Sequence, residues 1–297
     1  MKMHSEREAG GMIDGRQASE SNSTTLHFED SPRRVAGSFN GVIVADKPKG
    51  WTSHDVVAAV KKKIGARKVG HLGTLDPLAT GVLPLVIDGA TKASRLLEGG
   101  RKDYMATLKL GESTDTYDRE GTTLSIRDVS GVTQDDILRA LSRFTGRIRQ
   151  VPPMYSAIKR SGVPLYKLAR RGIVVEREAK DVEVFSMEAL DIAMPYVDFR
   201  VVCSRGTYVR SICSDIGDIL GCGAHLTELE RVASGCFTIK ESVSPEAGKE
   251  ILLRSIIPLE EALQRATAQT SCRTVEDGVG KEMTGDGLSR PAKSGCA

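Results

Sequence analysis

Apolar residues in this chain fall into short runs and alternating stretches, and this pattern predicts a mixed α+β fold. Gly41–Asp46 (GVIVAD) and Val82–Ile87 are apolar runs of the length of a strand. Within Arg101–Gly111, apolar and polar residues alternate, which indicates a half-buried strand. Two more strands are predicted at Val182–Met187 and Val197–Cys203.

Apolar residues at helical spacing predict helices between these strands. Ser53 is expected to cap a helix that runs to about Ile64, and Thr133 is expected to cap a second helix. The second helix is expected to bury Ile137, Leu138, Leu141 and Phe144. A third helix, after a turn at Gly206, is expected to bury Val209, Ile212, Ile216 and Ile219. Shorter helices are expected at Ala90–Leu97, Pro164–Arg171 and Pro258–Ala262.

Length and composition indicate how many domains the chain can form and in which compartment it works. The chain has 297 residues, 40% of them hydrophobic, which suffices for one large domain or a domain with a small appendage. Residues 1–36 are poor in large apolar side chains and are expected to form a disordered tail. Because there is no apolar run of 18 residues and no secretory signal, we expect a cytoplasmic protein without a membrane partner.

The cysteines are typical of an intracellular enzyme with reduced thiols, since none of the six forms a CxxC pair. Cys222 and His225 are spaced like metal ligands. No second pair completes a site, so we interpret both as structural and expect no metal. The stretch Ser113–Gly121 carries several acids, but it does not match the calcium-loop pattern.

The charges are more informative in their positions than in their sum. A net charge of +3 does not identify a partner. Five cations and no acid lie between Lys61 and Lys68, and nine cations and no acid lie between Arg139 and Val175. A basic run is usually a solvated face. Two acid-free runs in an otherwise balanced chain favour contacts with the phosphates of a nucleic acid.

The stretch Val69–Leu85 (VGHLGTLDPLATGVLPL) holds one carboxylate, Asp76, among leucines. A buried carboxylate is unfavourable unless a cation or hydrogen bonds compensate it, which makes Asp76 a candidate nucleophile or acid–base group. Pro77 and the nearby glycines shape a loop that can fix one side chain. An Asp that only stabilises a turn fits these residues too, and spacing alone leaves both interpretations open.

A longer pattern, G-H-x-G-x-L-D-P-x-A-T-G-x-L-P, runs from Gly70 to Pro84 and resembles the catalytic motif of the TruB family, the tRNA pseudouridine-55 synthases. The resemblance, which covers about Gly41 to Leu263, implies an α+β pseudouridine-synthase fold with a central, mostly antiparallel sheet flanked by helices. It implies that Asp76 is the nucleophile, at C1′ of the ribose or at C6 of the uracil. It also implies that His71 fills the space that a flipped base leaves in the RNA, with a core histidine as the alternative.

Shorter motifs that resemble the family imply further site residues. A K-x-Y motif implies that Tyr104 stacks on the target uracil. The pattern G-T-Y-[IV]-R implies that Arg210 pairs with the catalytic aspartate, and that Tyr208 lines the uracil pocket and accepts a proton. In G-C-G-A-H-L-x-x-L-x-R, Leu229 takes a pocket-lining position. In D-K-P-x-G-x-[TS]-S, Lys47 either helps to position the site or is a plain turn lysine.

The segment Arg147–Gly172 is basic, contains three prolines and includes Tyr155 and Tyr166, a combination that suits a clamp on unpaired RNA. It resembles the RNA-gripping insertion of the family, and an amphipathic surface hairpin is the alternative. We therefore expect a tail (residues 1–36), a catalytic domain (37–262) with an RNA-binding insertion (147–172), and a C-terminal segment (263–297). That segment is too short for the full PUA domain that the family usually carries.

The resemblance implies an enzyme that flips a uridine out of the T arm of tRNA and isomerises it to pseudouridine. Covalent catalysis by a carboxylate needs no cofactor, so we expect none, and we expect a monomer with tRNA as partner. Two other classes stay open. A glycosidase would need a second carboxylate about 5 Å from Asp76, and none is apparent in the matched motifs. An RNA-binding protein without activity would have no use for a carboxylate near phosphates.

Overall fold

Strand β1 shows why the first apolar run is continuous rather than alternating. In the computed structural model, which describes residues 39–279 and the side chains of residues 39–269, β1 is buried on both faces. Ile43 and Ala45 point into one apolar core, whereas Val42 and Val44 point into a second. A strand buried on both faces needs apolar residues at successive positions. The predicted tail and residues 280–297 lie outside the described residues.

The described residues form the following elements. The strands are β1 Asn40–Lys47, β2 Val69–His71, β3 Thr80–Asp88, β4 Lys102–Leu110, β5 Glu112–Thr114, β6 Thr123–Ile126, β7 Gly146–Gln150, β8 Lys159–Arg160, β9 Val163–Pro164, β10 Lys180–Ala193, β11 Tyr196–Cys203, β12 Ala224–Ser234, β13 Phe237–Thr238 and β14 Ile257–Pro258. The helices are α1 Ser53–Ile64, α2 Ser94–Leu97, α3 Gln134–Ser142, α4 Leu165–Ala169, α5 Val209–Ile219, α6 Lys249–Arg254 and α7 Leu259–Val279.

A ten-stranded sheet organises the fold, in the order β14-β1-β3-β12-β4-β11-β10-β7, with β2 beside β3 and β13 beside β12. The paired strands run antiparallel except β12 and β3, which are parallel where Glu230 faces Thr80 and Arg231 faces Gly81. Buried residues of α1, α3, α5 and α6 belong to one core, whereas α7 contributes Ala262 to the other. The predicted α+β class with a mostly antiparallel sheet is confirmed.

Several predicted details are wrong for identifiable reasons. Helix α1 is capped by Thr52, which forms a reciprocal capping box with Asp55, and Ser53 is instead buried in a tertiary contact. Leu138 and Ile219 were expected to be buried, but they are 47% and 40% exposed. Both lie at the edge of the apolar face of their helix, where helical periodicity does not distinguish buried from exposed positions.

Three further segments differ from the prediction. Residues 113–121, expected to be a polar loop, begin within β5, which pairs with β6 in a two-stranded sheet. The helix expected to end at Ala262 continues to Val279, so it crosses the expected boundary at residue 263. The first four residues of the expected insertion, 147–150, lie in β7 and pair with β10 at the edge of the main sheet.

Gly81 faces Arg231 in the parallel pair of β3 and β12, and we expect the stability of the protein to be sensitive to its substitution. Its φ is +93°, and an added Cβ would lie 2.4 Å from the carbonyl oxygen of Arg231. Gly81→Ala should lower the free energy of unfolding by about 3 kcal/mol or more, measured by urea denaturation. Gly65→Ala is the matched control, because Gly65 has φ +73° but no atom within 4 Å. It should lower stability by only about 1 kcal/mol, and equal losses would contradict the crowding argument.

Candidate active site

The loop of residues 72–79, between β2 and β3, holds Asp76 in place. Its leucines, Leu72, Leu75 and Leu78, are each no more than 3% exposed and anchor the loop in the core. Ser53, at the start of α1, accepts a hydrogen bond from the backbone N–H of Leu75 (2.9 Å) and donates one to its carbonyl (3.1 Å). The backbone next to Asp76 is therefore fixed by both packing and hydrogen bonds.

Asp76 is not buried among the leucines that surround it in sequence. Its side chain is 34% exposed, because the leucines point into the core while the carboxylate points to a cleft. Arg210 Nε donates a hydrogen bond to Asp76 Oδ2 at 2.8 Å. The structure thus brings together the two residues that the motifs associate, and it leaves the carboxylate within reach of a ligand in the cleft.

Arg210 is the buried centre of the site. It is 3% exposed on α5, and its other two nitrogens donate to the carbonyl oxygens of Thr116 and Tyr155, each at 2.9 Å. A planar guanidinium is suited to several fixed partners at once. One side chain therefore joins the Asp76 loop, the residues after β5 and the start of the segment that follows β7.

Asp118 is a site residue that the motifs do not identify. It is buried, and its Oδ2 lies 3.6 Å from Arg210 Nε. Burial raises the pKa of Asp118, while a hydrogen bond from the Thr116 hydroxyl and the charge of Arg210 act in the opposite direction. The only sequence signal was an acid in a polar stretch, which is not specific. Arg210 therefore pairs with two carboxylates, Asp76, which is 34% exposed, and Asp118, which is buried.

A cavity of about 250 Å³ borders Asp76. The predicted residues Tyr104, Tyr208, Arg210 and Leu229 also line it. Tyr104 and Leu229 are 7% exposed on β4 and β12, so they form the inner wall. This volume lies just under the usual range for small-molecule sites, roughly 300–1,000 Å³, and suits a flat ring.

Gln150, which the sequence analysis missed, fixes the backbone of Tyr208. Its amide accepts a hydrogen bond from the Tyr208 N–H (2.8 Å) and donates one to the Tyr208 carbonyl (3.0 Å). Burial raises the pKa of the Tyr208 hydroxyl, and a hydrogen bond with Ser156 acts in the opposite direction. The Tyr208 side chain therefore enters the cavity as a neutral phenol at neutral pH.

A second cavity, of about 490 Å³, also borders the Asp76–Arg210 pair and so adjoins the first. Tyr155 and Tyr166 of the predicted RNA clamp line it, and the Arg170 guanidinium lies 5.6 Å from the Tyr166 ring centre. Aromatic faces beside a cation suit stacked bases. The basic segment thus meets the Asp76 cleft directly.

His71 and Lys47 border neither of these two cavities. His71 is half-buried, and its ring meets that of His54 edge to face, with 5.7 Å between the ring centres. Burial lowers the pKa of His71, and His54 and Arg231 add to this effect. Lys47 is fully buried beneath the Asp76 loop and donates to the carbonyl oxygens of Pro48 (2.9 Å) and Pro77 (3.2 Å). It contacts the loop rather than the space above it.

Lys47 should make stability depend on pH. Burial lowers its pKa to about 8 in the folded protein, with the charge of Asp76 acting in the opposite direction, whereas the ordinary value is 10.5. Between these values the unfolded chain binds the extra proton, so wild-type stability should rise with pH relative to Lys47→Met. The relative gain should approach about 1.4 kcal/mol per pH unit above about pH 8. Urea unfolding of both proteins across this window measures it, and a constant difference would contradict the assignment.

Not every cation in the two basic runs is free for phosphates. Lys63 donates to the carbonyl oxygens of Pro245 and Ala247, and Arg139 pairs with Asp136 at 2.7 Å. The acid-free appearance of the second run was therefore partly misleading, because Asp136 lies just before it. Other cations, such as Lys61, Lys62, Lys159 and Lys167, are exposed.

In residues 39–279, no cluster of three or more His, Cys, Asp or Glu side chains suits a metal ion. His225 Nδ1 lies 3.0 Å from the Glu112 carbonyl, so it has a structural contact, as interpreted from the sequence. Within the same range, no helix has the length and apolar character needed to cross a membrane.

Comparison with known proteins agrees with this geometry. The family model described as TruB family pseudouridylate synthase (N terminal domain) matches residues 61–209, and the one described as tRNA pseudouridylate synthase B C-terminal domain matches residues 210–264. The class is therefore that of the pseudouridylate synthases. Within it, the chain belongs to the TruB family. The two matches meet inside α5, between Val209 and Arg210, so Asp76 and Arg210 come from different parts of the family pattern.

Curated relatives match over most of their length. A tRNA pseudouridine synthase B of Clostridium tetani is 49% identical over 76% of this chain and 79% of its own. One of Geobacter sulfurreducens is 51% identical over 72% of this chain and 70% of its own.

Solved structures extend the similarity to the fold. A chain of a Cbf5-Nop10-Gar1 complex gives a TM-score of 0.59 at 33% identity over 76% of this chain. A chain of an H/ACA RNP bound to a substrate RNA containing 2'-deoxyuridine gives 0.56 at 30% identity, also over 76% of this chain. The match spans only 62% and 61% of those two solved chains.

Proposed function

We propose that this chain isomerises a uridine in the T arm of tRNA, at position 55, to pseudouridine. One observation carries the proposal: a half-exposed carboxylate, Asp76, opens into a ring-sized cavity while the buried Arg210 holds it at 2.8 Å. An ionised carboxylate held this way is a nucleophile that needs no cofactor. The curated relatives carry the name tRNA pseudouridine synthase B, which supports tRNA as the substrate.

The reaction exchanges one bond of the uridine for another. The bond between C1′ and N1 breaks, the base turns, a bond between C1′ and C5 forms, and the proton of C5 is exchanged for one on N1. The uridine must leave the RNA stack first, at a cost of a few kcal/mol. We assign base stacking to Tyr104, the covalent step to Asp76 and the relay of the exchanged proton to Tyr208, whose hydroxyl accepts one proton as it donates its own. His71 takes the space that the base vacates, and Lys47 supports the loop.

The two other classes fit the site less well. A second carboxylate, Asp118, does lie near Asp76 and lines the larger cavity with it, but it is buried, and Arg210 compensates the charge of both. A buried carboxylate that already pairs with Arg210 and accepts a hydrogen bond from Thr116 is poorly suited to activate the water that a glycosidase requires. Simple RNA binding gives no reason for a carboxylate that faces the cavity, since phosphates would be repelled there.

We infer that the RNA reaches the cleft along the segment with Tyr155 and Tyr166, which lines the larger cavity next to Asp76. Exposed lysines and arginines on either side supply the phosphate contacts. We propose that the chain acts as a monomer in the cytoplasm.

The test is a single-turnover assay on an unmodified tRNA transcript, with pseudouridine mapped by chemical labelling and reverse transcription. We expect conversion at position 55 only, and no product from a transcript with cytidine at that position. Pseudouridine at a position outside the T arm would overturn the assignment of position 55 as the target. Binding without conversion would favour a protein that only binds RNA.

A further inference from the structure

Arg231, on β12, is a second buried arginine at this site. It is 1% exposed, its Nε donates to the Val82 carbonyl at 2.8 Å, and its Nη2 donates to the Gly73 carbonyl at 3.0 Å. Gly73 lies at the start of the loop of residues 72–79 that carries Asp76, and Val82 lies just after that loop, in β3. The guanidinium therefore spans the two ends of that stretch from behind.

Among the described residues Arg231 forms no ion pair, although the carboxylates of Asp76 and Glu98 line the same cavity. Among the residues that the structure describes, no carboxylate lies within 4.0 Å of it, and the acceptors of its two hydrogen bonds are backbone carbonyls. Arg210, by contrast, has Asp76 at 2.8 Å and Asp118 at 3.6 Å. Burying a cation without a counter-charge is strongly unfavourable, so an unneutralised one at a cleft suggests that the reaction supplies the negative charge.

Arg231 is also placed to act on the cavity. It lines the cavity of about 250 Å³ together with Asp76 and Tyr104. Burial raises the pKa of the Tyr104 hydroxyl, and the nearby charge of Arg231 acts in the opposite direction. The positive charge thus lies directly behind the residue that we assign to stacking on the uracil.

The proposed reaction places negative charge on the base in this cavity. If Asp76 attacks C1′, the electron pair of the C1′–N1 bond leaves with the uracil and spreads over its N1 and carbonyl oxygens. If Asp76 attacks C6, the electron pair of the C5–C6 double bond moves toward O4. In both routes the uracil passes through an anionic form before C5 bonds to C1′, so both need a nearby positive charge.

We propose that Arg231 stabilises the anionic uracil across Tyr104, in addition to bracing the Asp76 loop. This inference rests on the proposed function. The guanidinium lines the cavity but is almost fully buried, so what it contributes to the reaction is chiefly its positive charge. A fixed charge in a site that excludes water stabilises an anion strongly, because little solvent screens it.

The test uses two variants and two bases. Arg231→Gln removes the charge but can still donate to Gly73, and Arg231→Lys keeps the charge but loses the planar fork. Each is assayed in single turnover on tRNA with uridine or 5-fluorouridine at position 55, following loss of the target nucleoside. Fluorine stabilises the uracil anion without help from the protein. We expect Arg231→Gln to slow the uridine reaction about 10²- to 10³-fold, and to slow the 5-fluorouridine reaction at least about tenfold less.

Arg231→Lys should slow both substrates by similar factors, within about tenfold of wild type. Equal slowing of both substrates by Arg231→Gln would overturn the electrostatic role and leave only the brace. If Arg231→Gln fails to fold, a large loss in Arg231→Lys, as great as 10²-fold, would also overturn it. Arg265→Gln is the control. Arg265, on α7, pairs with Glu241 and Glu261, so its substitution should leave the rates unchanged. Absence of conversion by wild type would instead refute the proposed function.

Discussion

Asp76→Asn keeps the shape of the side chain and removes its charge, and we expect it to lower the single-turnover rate of pseudouridine formation by at least about 10⁴-fold. The reason is geometric as well as chemical. Arg210 holds the carboxylate at 2.8 Å with one edge open to the cavity, so the charge at this point is what the site is built to present. Quantification of pseudouridine at position 55 measures the loss.

The loss should be confined to the chemical step. Asn can still accept the hydrogen bond from Arg210, so RNA affinity and the melting temperature should stay close to those of wild type. Asp135→Asn is the matched control, because Asp135 is exposed in the first turn of α3 and lines neither of the two cavities. A rate for Asp76→Asn within tenfold of wild type would show that Asp76 is not the nucleophile.

Arg210→Met is expected to impair both stability and activity. Among the described residues, Arg210 is the cation that pairs with both Asp76 and Asp118, and the substitution removes it. It also removes the donors to the carbonyl oxygens of Thr116 and Tyr155. Breaking a buried pair from one side typically lowers stability by about 3–5 kcal/mol. The rate should fall by at least about 10²-fold, because Asp76 loses its orientation. Urea denaturation and single-turnover kinetics measure the two effects.

A second substitution separates the two effects of Arg210→Met. Adding Asp118→Asn removes the enclosed carboxylate that the first change leaves unpaired, so the double variant should regain part of the lost stability. It should not regain activity, because nothing then holds Asp76. Recovery of activity would mean that Arg210 acts only by neutralising Asp118. No recovery of stability would mean that the backbone contacts, rather than the charges, account for the loss.

Local pattern was sufficient for most of the fold. The apolar run GVIVAD predicts β1, and the alternation around Ala106 predicts β4, because side-chain period follows directly from strand geometry. The register and order of the ten strands could not be predicted in this way. They depend on pairings such as β3 with β12, which join residues far apart in the chain.

The site shows the same division. Asp76 and Arg210 could be named from short motifs, although 134 positions separate them. Asp118 and Gln150 could not, because an acid in a polar loop and an amide in a strand have many ordinary uses. Their roles come from what they meet in space. The expected burial of Asp76 was wrong because composition around a residue does not say which way its side chain points.

The place of β12 in the sheet has a consequence for biosynthesis. This strand, Ala224–Ser234, lies between β3 and β4, both of which leave the ribosome more than a hundred residues earlier. Until β12 emerges, those two strands present open edges that can pair with other chains, and the two parts of the sheet have no common strand. A nascent chain that ends before Ala224 would hold Asp76, Tyr104 and Arg210 without the wall that completes their pocket. Such a chain should depend on a chaperone until its last quarter has been synthesised.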